Sequence, residues 1–330
     1  MLSLVIPVYN EADSLPQLFK ELNDVAQANH YDLDVIFVDD GSTDTSWKTI
    51  SDLAASDPRV RGIRFRRNFG KAAALNAGFK VVRGDMVMTL DADLQDDPHE
   101  IPKFLEKMAS GFDVVSGWKR VRHDPWHKVG PSRIFNALVS WLTGVTLHDH
   151  NCGMKCYRRE VLSEVRLYGE LHRFVPVLAA AKGFRVGELV IQHRPRQHGY
   201  SKFGVERFVK GFLDLLTVKF LTHYGRRPSH LFGTIGLVFL AWGIFRYGIW
   251  RLLGWAPLVG FTSDPAMDPQ AQLVNELALR VANENLRLQT LYFWVILAFM
   301  FFLTGLIAEL VVAQRSRDDE GYSISERVPS

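Results

Sequence analysis

Short apolar runs and amphipathic stretches alternate along the first third of the chain. The runs, rich in Val and Ile, predict five β-strands at residues 2–9, 33–40, 60–67, 85–93 and 112–117. Between them, apolar residues at helical spacing predict α-helices over 14–29, 46–55, 71–82 and 98–110. Strands that alternate with helices favour an α/β fold, in which a mostly parallel sheet carries helices on both faces.

Polar side chains follow three of these predicted strands. They are Tyr9, Asn10 and Glu11 after the first strand, residues 39–44 after the second, and Asp91, Asp93 and Gln95 after the fourth. Ligands of parallel sheets bind beyond the carboxyl ends of the strands. We therefore expect these three segments to meet in one crevice.

The last third of the chain has a different pattern. Residues 231–254 and 290–313 are each apolar over a length that can cross the hydrocarbon core of a bilayer. The first stretch contains Arg246 and Arg251, which leaves a buried soluble helix as its alternative. Arg226 and Arg227 precede this stretch and Arg315 follows the second, so the positive-inside tendency predicts that both outer flanks are cytoplasmic. Residues 255–289 would then form a short connection outside the membrane.

The pattern divides the chain into four parts. Residues 1–202 form the predicted α/β domain, 203–228 an amphipathic juxtamembrane segment, 229–314 a transmembrane hairpin and 315–330 a polar tail. The amphipathic segment fits either the membrane interface or a helix packed on the α/β domain. Residues 119–133 are basic and contain Pro and Gly, which predicts a long functional loop.

Composition narrows the function classes. The net charge of +3 in 330 residues is mild and gives no indication of nucleic-acid binding. Two cysteines, Cys152 and Cys156, are too few for a disulfide framework and favour a reducing compartment. With His148 and His150 they could suggest zinc, but their spacing matches no common zinc motif, and packed thiols are the favoured interpretation.

The acidic segment after the fourth strand indicates a cation. Two aspartates one residue apart, Asp91 and Asp93, can converge where the backbone turns, and Mg²⁺ or Mn²⁺ prefers such oxygen ligands, often completed by substrate phosphates. Taken alone, this pair also fits an acidic surface turn. No GxxxxGK[ST] or GxGxxG phosphate loop is present in the sequence.

Four segments together resemble the family 2 glycosyltransferases, the inverting nucleotide-sugar enzymes with a GT-A fold. They are VIPVYNE (5–11), VDDGSTD (38–44), NFGKAAALNAGF (68–79) and DADLQDDP (91–98). RQHGYSK (196–202) and the two apolar stretches resemble the polyprenyl-phosphate group of that family, which contains dolichol-phosphate mannose synthase and bacterial undecaprenyl-phosphate glucosyltransferases.

The resemblance implies roles for individual residues. Catalysis falls to Asp91, Asp93 and Asp149, and the metal to Asp91, Asp93 and Gln95. Donor binding falls to Pro7, Tyr9, Glu11, Asp39, Gln95, Arg196, Ser201 and Lys202. The acceptor phosphate falls to Lys119, Arg120, Arg122 and Arg133, although the family often has Arg where Lys119 stands. Anionic lipid is the alternative partner of the basic residues, and a turn carboxylate held by Arg158 or Arg159 is the alternative for Asp149.

The function implied by the resemblance is transfer of a hexose, with UDP-glucose favoured over GDP-sugars, to polyprenyl phosphate. The partners are a nucleotide sugar, a lipid acceptor and the bacterial inner membrane, with Mg²⁺ or Mn²⁺ as cofactor and a homo-oligomer left open. A lipid phosphate is already ionised, so its attack requires no general base. Two alternatives remain open: a transferase or polysaccharide synthase acting on a sugar hydroxyl, and an inactive membrane scaffold. The Q-x-x-R-W motif that such synthases usually carry is absent from the sequence.

Overall fold

The computed structural model describes residues 1–120, 126–165, 171–192, 194, 206–225, 227–252 and 268–315. These residues form two compact units. The first covers Met1–Thr222 and contains the sheet, and the second begins at His223 and contains two long helices.

Seven strands form one mixed sheet in the first unit. They are β1 Leu2–Val8, β2 Leu33–Asp39, β3 Val60–Arg64, β4 Met86–Thr89, β5 Val114–Lys119, β6 Lys155–Arg158 and β7 Val186–Ile191. The order across the sheet is β3-β2-β1-β4-β6-β5-β7, and β6 alone runs antiparallel to its neighbours. The five predicted strands and the mostly parallel sheet are confirmed. The sequence pattern did not predict β6 and β7. In β6, two of the four residues are basic and polar and apolar residues do not alternate.

Ten α-helices accompany the strands in the described ranges. They are α1 Leu15–Asn29, α2 Ser46–Ser56, α3 Lys71–Phe79, α4 Ile101–Ala109, α5 Trp126–Thr143, α6 Arg159–Glu164, α7 Val175–Ala181, α8 Glu206–Lys219, α9 Pro228–Leu252 and α10 Pro269–Arg315. The prediction of a loop over 119–133 is wrong from residue 126 onward, because α5 begins there. Gly130 and Pro131, which suggested a loop, lie inside this helix, and the packing of Phe135 and Val139 into an apolar cluster stabilises the helix in spite of them.

The core explains why β1 and β2 are apolar at nearly every position. Leu4 and Ile6 of β1 pack into the apolar layer that contains α1, whereas Val5 packs with Ile36 and Val38 into the layer under α3. Successive residues of a strand point to opposite faces of the sheet, so a strand covered on both faces has no polar side. These two central strands are therefore rigid supports for the segments that follow them.

Helix α8 packs on the first unit and also exposes apolar residues. Leu215 and Val218 are buried against Phe135 and Val139 of α5. Three other side chains of α8 are exposed, namely Phe212, Leu213 and Leu216. One face of α8 therefore packs on the sheet-containing unit, as one interpretation predicts. Its other, exposed apolar face leaves contact with the membrane interface as a prediction.

The second unit contains the two candidate membrane helices. Residues Pro228–Arg251 of α9 and Gln270–Val311 of α10 are long and apolar enough to span a bilayer. Glu309 of α10 accepts a hydrogen bond from the backbone N–H of Ser229, at the first turn of α9. The prediction that residues 255–289 only connect the two spans is wrong from residue 269, where α10 begins. Residues 269–289 are rich in Ala, Leu, Glu, Gln and Arg, all of which favour helix.

Candidate active site

The sheet brings the three predicted polar segments together. β2, β1 and β4 are parallel neighbours, with Val8 of β1 paired to Asp39 of β2 and Val5 of β1 paired to Thr89 of β4. The segments that follow these strands therefore leave the sheet along one edge.

Hydrogen bonds tie the segment after β1 to the segment after β2. The backbone N–H of Asn10 donates to Oγ of Ser42 at 3.0 Å, and that of Glu11 donates to Oγ of Ser46 at 2.9 Å. In return, the N–H of Thr43 donates to the Asn10 side-chain oxygen at 2.8 Å. Asn10 adopts a left-handed conformation (φ 55°), which asparagine tolerates better than most residues. These hydrogen bonds fix the backbone that carries three predicted donor-binding residues, Pro7, Tyr9 and Glu11.

Asp39 is a buried carboxylate at the end of β2. Its Oδ1 accepts the N–H of Ser42 at 2.9 Å, and its Oδ2 lies 3.3 Å from Nε of Arg64 on the next strand. The guanidinium of Arg64 also lies over the ring of Trp47, 5.7 Å from its centroid. This carboxylate is thus oriented from two sides.

Asp40 has a structural task that the sequence did not reveal. Its two carboxylate oxygens accept the N–H groups of Phe69 and Gly70, at 2.7 and 2.9 Å, immediately before α3. Gly41 (φ 71°) lies so close to this segment that a Cβ would be 2.7 Å from Cα of Arg67. The VDDG and NFGK motifs therefore form one unit, and the spacing of each motif alone gave no sign of it.

Lys71, at the start of α3, contacts Oδ1 of Asp91 through its ammonium group. Burial by itself would raise the pKa of the Asp91 carboxyl, but Lys71, and to a smaller extent Lys119, outweigh it and hold the pKa at about 2. On the other side, a Cβ at Gly153 would lie 2.5 Å from Oδ2 of Asp91. Asp91 is therefore ionised at neutral pH and has space beside it that only glycine leaves.

The turn after Asp91 is strained. Leu94 is buried and adopts a left-handed conformation (φ 60°), which costs a residue of this type about 1–3 kcal/mol. It allows the N–H of Gln95 to donate to Oδ1 of Asp93 at 3.3 Å. Such strain is typical of functional turns, and here it folds the segment from Asp91 to Gln95 back on itself.

Lys119 connects this acidic segment with a second site. It ends β5, and its Nζ lies 2.7 Å from Oδ1 of Asp96, which is fully buried. Burial would lower the pKa of Lys119, but the charge of Asp96 raises it above the usual value of 10.5. Lys119 is therefore charged at neutral pH.

Lys119 also lines a cavity of about 610 Å³ between the end of β5 and α5. The lining residues are Trp118, Lys119, Arg120, Arg133, Asn136, Ala137, Ser140, Thr146, Leu147 and His148. Three residues predicted for the acceptor phosphate, Lys119, Arg120 and Arg133, thus share one cavity. An anion would be attracted to it because three cations line it.

Asp149 is buried on the segment between α5 and β6. Its Oδ1 accepts the N–H of Asn151 at 3.1 Å, and its own N–H donates to Oε1 of Glu188 at 3.0 Å. The alternative that Arg158 or Arg159 holds it is wrong. Arg158 pairs with Asp113 at 3.2 Å and Arg159 donates to the carbonyl oxygen of residue 83, since both follow a strand that carries them away.

The neighbouring segment contains two buried thiols and a buried imidazole. Burial raises the pKa of the Cys152 and Cys156 thiols to about 12 each, so both are protonated at neutral pH when no metal is bound. Burial, assisted by Lys155, lowers the pKa of His150 to about 4. Lys155 is itself buried, donates to the carbonyl oxygen of Cys152, and has a pKa lowered by burial.

Comparison with known proteins shows which family this chain belongs to. The sequence pattern described as Glycosyl transferase family 2 matches residues 3–166. A protein of Rhizobium johnstonii named dodecaprenyl-phosphate galacturonate synthase is 37% identical over 241 residues, covering 72% of this chain and 71% of that protein. The chain belongs to glycosyl transferase family 2. An undecaprenyl-phosphate 4-deoxy-4-formamido-L-arabinose transferase of Pseudomonas fluorescens is 38% identical over 243 residues, covering 73% of this chain and 70% of that protein.

A solved structure shares the fold of this family 2 chain. It is the glucosyl-3-phosphoglycerate synthase of Mycobacterium tuberculosis in complex with Mn²⁺ and uridine-diphosphate-glucose, with a TM-score of 0.52 and 16% identity. The alignment covers 67% of this chain and 78% of that one. The GT-A-like fold and the resemblance of the motifs to family 2 and its polyprenyl-phosphate group are thus confirmed.

The family 2 site has a donor set that suits a divalent cation. Two carboxylates and one amide, from Asp91, Asp93 and Gln95, offer only oxygen ligands, which hard cations prefer. The low pKa of Asp91 and the space beside Gly153 fit a ligand that must be ionised and accessible. Among the described residues, Glu21, Asp97 and His99 form a second group, whose ligand atoms all lie within 4.8 Å of one another.

That second group already has a cation of its own. Arg194 lies 2.7 Å from Oε2 of Glu21 and 2.7 Å from Oδ1 of Asp97. Its guanidinium lies between the two carboxylates and neutralises part of their charge. Four predicted site residues, Arg122, Arg196, Ser201 and Lys202, lie outside the described residues.

Proposed function

We propose that this chain transfers a hexose from a UDP-sugar to polyprenyl phosphate, with inversion, at the cytoplasmic face of the bacterial inner membrane. One observation carries the proposal: Lys119 is ion-paired to Asp96 of the DADLQDD segment and also lines the cation-rich cavity. A donor held at the carboxylates and an anionic acceptor held in the cavity would thus meet at Lys119. The names of the relatives, which are transferases to dodecaprenyl or undecaprenyl phosphate, support an acceptor of this class.

The donor half of the site supplies orientation and charge. Asp91, Asp93 and Gln95 would hold Mg²⁺ or Mn²⁺, which would neutralise the diphosphate and stabilise it as a leaving group. The rigid segments after β1 and β2 would hold the nucleoside, with Tyr9 and Asp39 at their ends. Lys71 keeps Asp91 ionised in the absence of other cations. Arg196, Ser201 and Lys202 are proposed to close over the diphosphate.

The acceptor half needs cations more than it needs a base. A phosphate monoester carries between one and two negative charges at neutral pH and can attack without losing a hydroxyl proton. Lys119, Arg120 and Arg133 would hold it beside the donor, and Arg122 would add to their charge. Asp149 is proposed to orient the reacting groups, since its charge acts on the buried ammonium of Lys155, which also lies in the field of Asp91.

The membrane half of the proposal follows from the helices. Arg227 stands before α9 and Arg315 ends α10, and by the positive-inside tendency these charges support a cytoplasmic location for both ends. Apolar side chains of α5 and α8, among them Trp141 and Leu213, are exposed on the first unit and suit contact with a lipid surface. A catalytic unit held at the bilayer would meet its lipid acceptor at high effective concentration.

The transfer reaction tests the proposal directly. Full-length protein in nanodiscs would be incubated with Mn²⁺, polyprenyl phosphate and each of UDP-glucose, UDP-galacturonate, a UDP-4-deoxy-4-formamido-arabinose and GDP-mannose. We expect one UDP-sugar to label the lipid as a single-sugar product, and EDTA to abolish the labelling. A polymer, or a product on a sugar hydroxyl, would replace the proposal with the polysaccharide-synthase alternative. Absence of any metal-dependent nucleotide binding would favour the inactive scaffold.

Membrane orientation can be tested with a single introduced thiol. Both native cysteines are buried, with pKa values raised to about 12, so their background labelling should be low. We expect Ser51→Cys, on the exposed face of α2, to react with a membrane-impermeant maleimide in inside-out vesicles and not in intact spheroplasts. The reverse pattern would place the first unit on the other side of the membrane.

A further inference from the structure

One histidine in the wall of the cavity is fixed from three elements of the fold. Asn136 of α5 donates to the carbonyl oxygen of His148 at 2.9 Å. Glu188 of β7 accepts the backbone N–H of His148 at 2.8 Å. The imidazole ring stacks on Trp118 of β5, with 3.9 Å between ring centroids and 12° between planes. These contacts fix the orientation of the His148 ring relative to the cavity.

The contacts of the ring show which of its two nitrogens can reach a ligand in the cavity. Nδ1 of His148 lies 2.7 Å from Oε2 of Glu188, so the carboxylate takes up that edge of the ring. The side chain is still 66% exposed and lines the cavity, which leaves Nε2 as the ring nitrogen available to a ligand. A carboxylate on Nδ1 fixes the orientation of the ring.

The surroundings of the ring favour an anionic ligand. The charged or titratable groups on the elements packed against it are Lys119 and Arg120 from β5, Arg133 from α5, Glu188 from β7 and the neighbouring Asp149. Glu188 is engaged by the ring and by two backbone N–H groups, so it faces away from an incoming anion. The cations line the cavity together with the ring.

We propose that His148 is a ligand of the acceptor phosphate and that Glu188 is its positioning residue. This inference rests on the proposed function, because it assigns the phosphate monoester of the lipid to the cavity. Nε2–H of the imidazolium donates to a phosphate oxygen, while the stack on Trp118 and the bond to Glu188 hold the ring in place.

The test compares two histidines of similar setting. His99 is also exposed (61%) and also has its Nδ1 2.8 Å from a carboxylate, that of Asp97, but it does not line the cavity. We expect His148→Gln to raise the KM for polyprenyl phosphate about ten-fold at pH 6, the loss of one charged hydrogen bond, with the KM for the UDP-sugar unchanged. His99→Gln should change neither KM. Thermal unfolding of both variants checks that they fold.

The pH dependence separates binding from a purely structural role. At each pH, dividing the acceptor KM of His148→Gln by that of the wild type cancels the titration of the lipid itself. Because an imidazolium loses its charge when it is deprotonated, this ratio should fall toward one as the pH rises. His148→Arg carries a permanent charge, so its KM relative to His148→Gln should not depend on pH.

Glu188→Gln sharpens the test. Its side-chain oxygen can still accept the two backbone N–H groups, and its amide can donate to Nδ1, which leaves the proton of a neutral ring on Nε2. We expect this variant to bind the acceptor more weakly than the wild type at pH 6 and to retain more affinity than His148→Gln at pH 8.

The possible failures are distinguishable. If the wild type labels polyprenyl phosphate but the ratio of KM values stays at one or does not vary with pH, the role of His148 is wrong and the proposed function stands. If His148→Gln instead raises the KM for the UDP-sugar, the ring serves the donor diphosphate. If the wild type never labels the lipid, the proposed function itself fails.

Discussion

The proposed donor side and the proposed acceptor side of the site carry side chains of opposite charge. The donor side consists of carboxylates and backbone N–H groups on segments that leave three adjacent parallel strands, and hydrogen bonds between the segments fix it. The acceptor cavity consists of cations and a histidine, drawn from β5, α5 and the segment before β6. The difference matches the ligands proposed for them. A diphosphate accompanied by a divalent cation needs negative groups around the metal, whereas a bare phosphate needs positive ones.

The two sides share one residue. Lys119 lines the cavity, and its ammonium pairs with Asp96 and contributes to the low pKa of Asp91. Substitutions on one side of Lys119 should therefore affect the use of one substrate only. Substitutions of Lys119 itself should affect both the use of the acceptor and the stability of the fold.

The largest effect is expected on the donor side. Asp93→Ala removes a proposed metal ligand, and loss of the metal's charge stabilisation should lower kcat by about a thousand-fold or more. The folded protein should still bind polyprenyl phosphate, as measured by retention on vesicles that contain it. Asp52→Ala, which removes an exposed pair with Lys48, should leave turnover unchanged. Normal turnover by Asp93→Ala would remove the metal from this segment.

The next largest effect should come from Lys119. Lys119→Met leaves Asp96 buried without its partner, which should lower the free energy of unfolding by about 3–5 kcal/mol and raise the acceptor KM. Adding Asp96→Asn removes the uncompensated charge, so the double variant should recover most of the stability and none of the acceptor affinity. Chemical denaturation and acceptor kinetics measure the two effects separately.

The pH dependence of this pair follows from the raised pKa of Lys119. A base whose pKa is higher in the folded state contributes its full stability below its usual value of 10.5 and loses it as the pH rises through the raised value. The difference in stability between the wild type and the double variant should therefore be constant across neutral pH and shrink only in strong alkali. Recovery of acceptor affinity in the double variant would contradict direct contact between Lys119 and the phosphate.

Sequence reasoning placed the segments after β1, β2 and β4 at one edge of the sheet for a physical reason. Buried parallel strands have continuous apolar runs, and the residues after them must meet at one edge, so Asp39, Asp91 and Asp93 could be placed without coordinates. The acceptor cavity could not be placed this way. It depends on α5, whose Pro and Gly suggested a loop, and on β7, whose Glu188 lies 40 residues from His148. Side-chain contacts of that range leave no local pattern.

The same contrast explains two assignments that the sequence missed. Asp40 and Lys71 both lie within motifs that were noticed, but their roles depend on a partner in another segment, Gly70 for the one and Asp91 for the other. The two acids of VDDG, adjacent in sequence, proved to have different tasks. A motif thus indicated the place of the chemistry more reliably than the role of each member.

A smaller effect should come from Gly153. In Gly153→Ala the new Cβ would lie 2.5 Å from Oδ2 of Asp91, so the carboxylate or the backbone must move. We expect kcat to fall by about ten- to a hundred-fold with the acceptor KM unchanged, because displacement of a catalytic group by about 1 Å costs roughly this much. Gly130→Ala in α5, where an added Cβ meets nothing within 4 Å, is the matched control and should be active. A fully active Gly153→Ala would mean that the space beside Asp91 is not needed.

The smallest effect is expected furthest from the reacting groups, at Arg64. Its Nε lies 3.3 Å from Oδ2 of Asp39, but about half of the Arg64 side chain is exposed, so solvent screens the pair and its worth should be below about 1 kcal/mol. Arg64→Gln should therefore raise the KM for the UDP-sugar by only about two- to five-fold, since Asp39 keeps its bond from the N–H of Ser42. Asp39→Asn should raise that KM further, because it changes the buried acceptor itself. Neither variant should alter the acceptor KM, and a change there would mean that the two sides are coupled through the sheet as well as through Lys119.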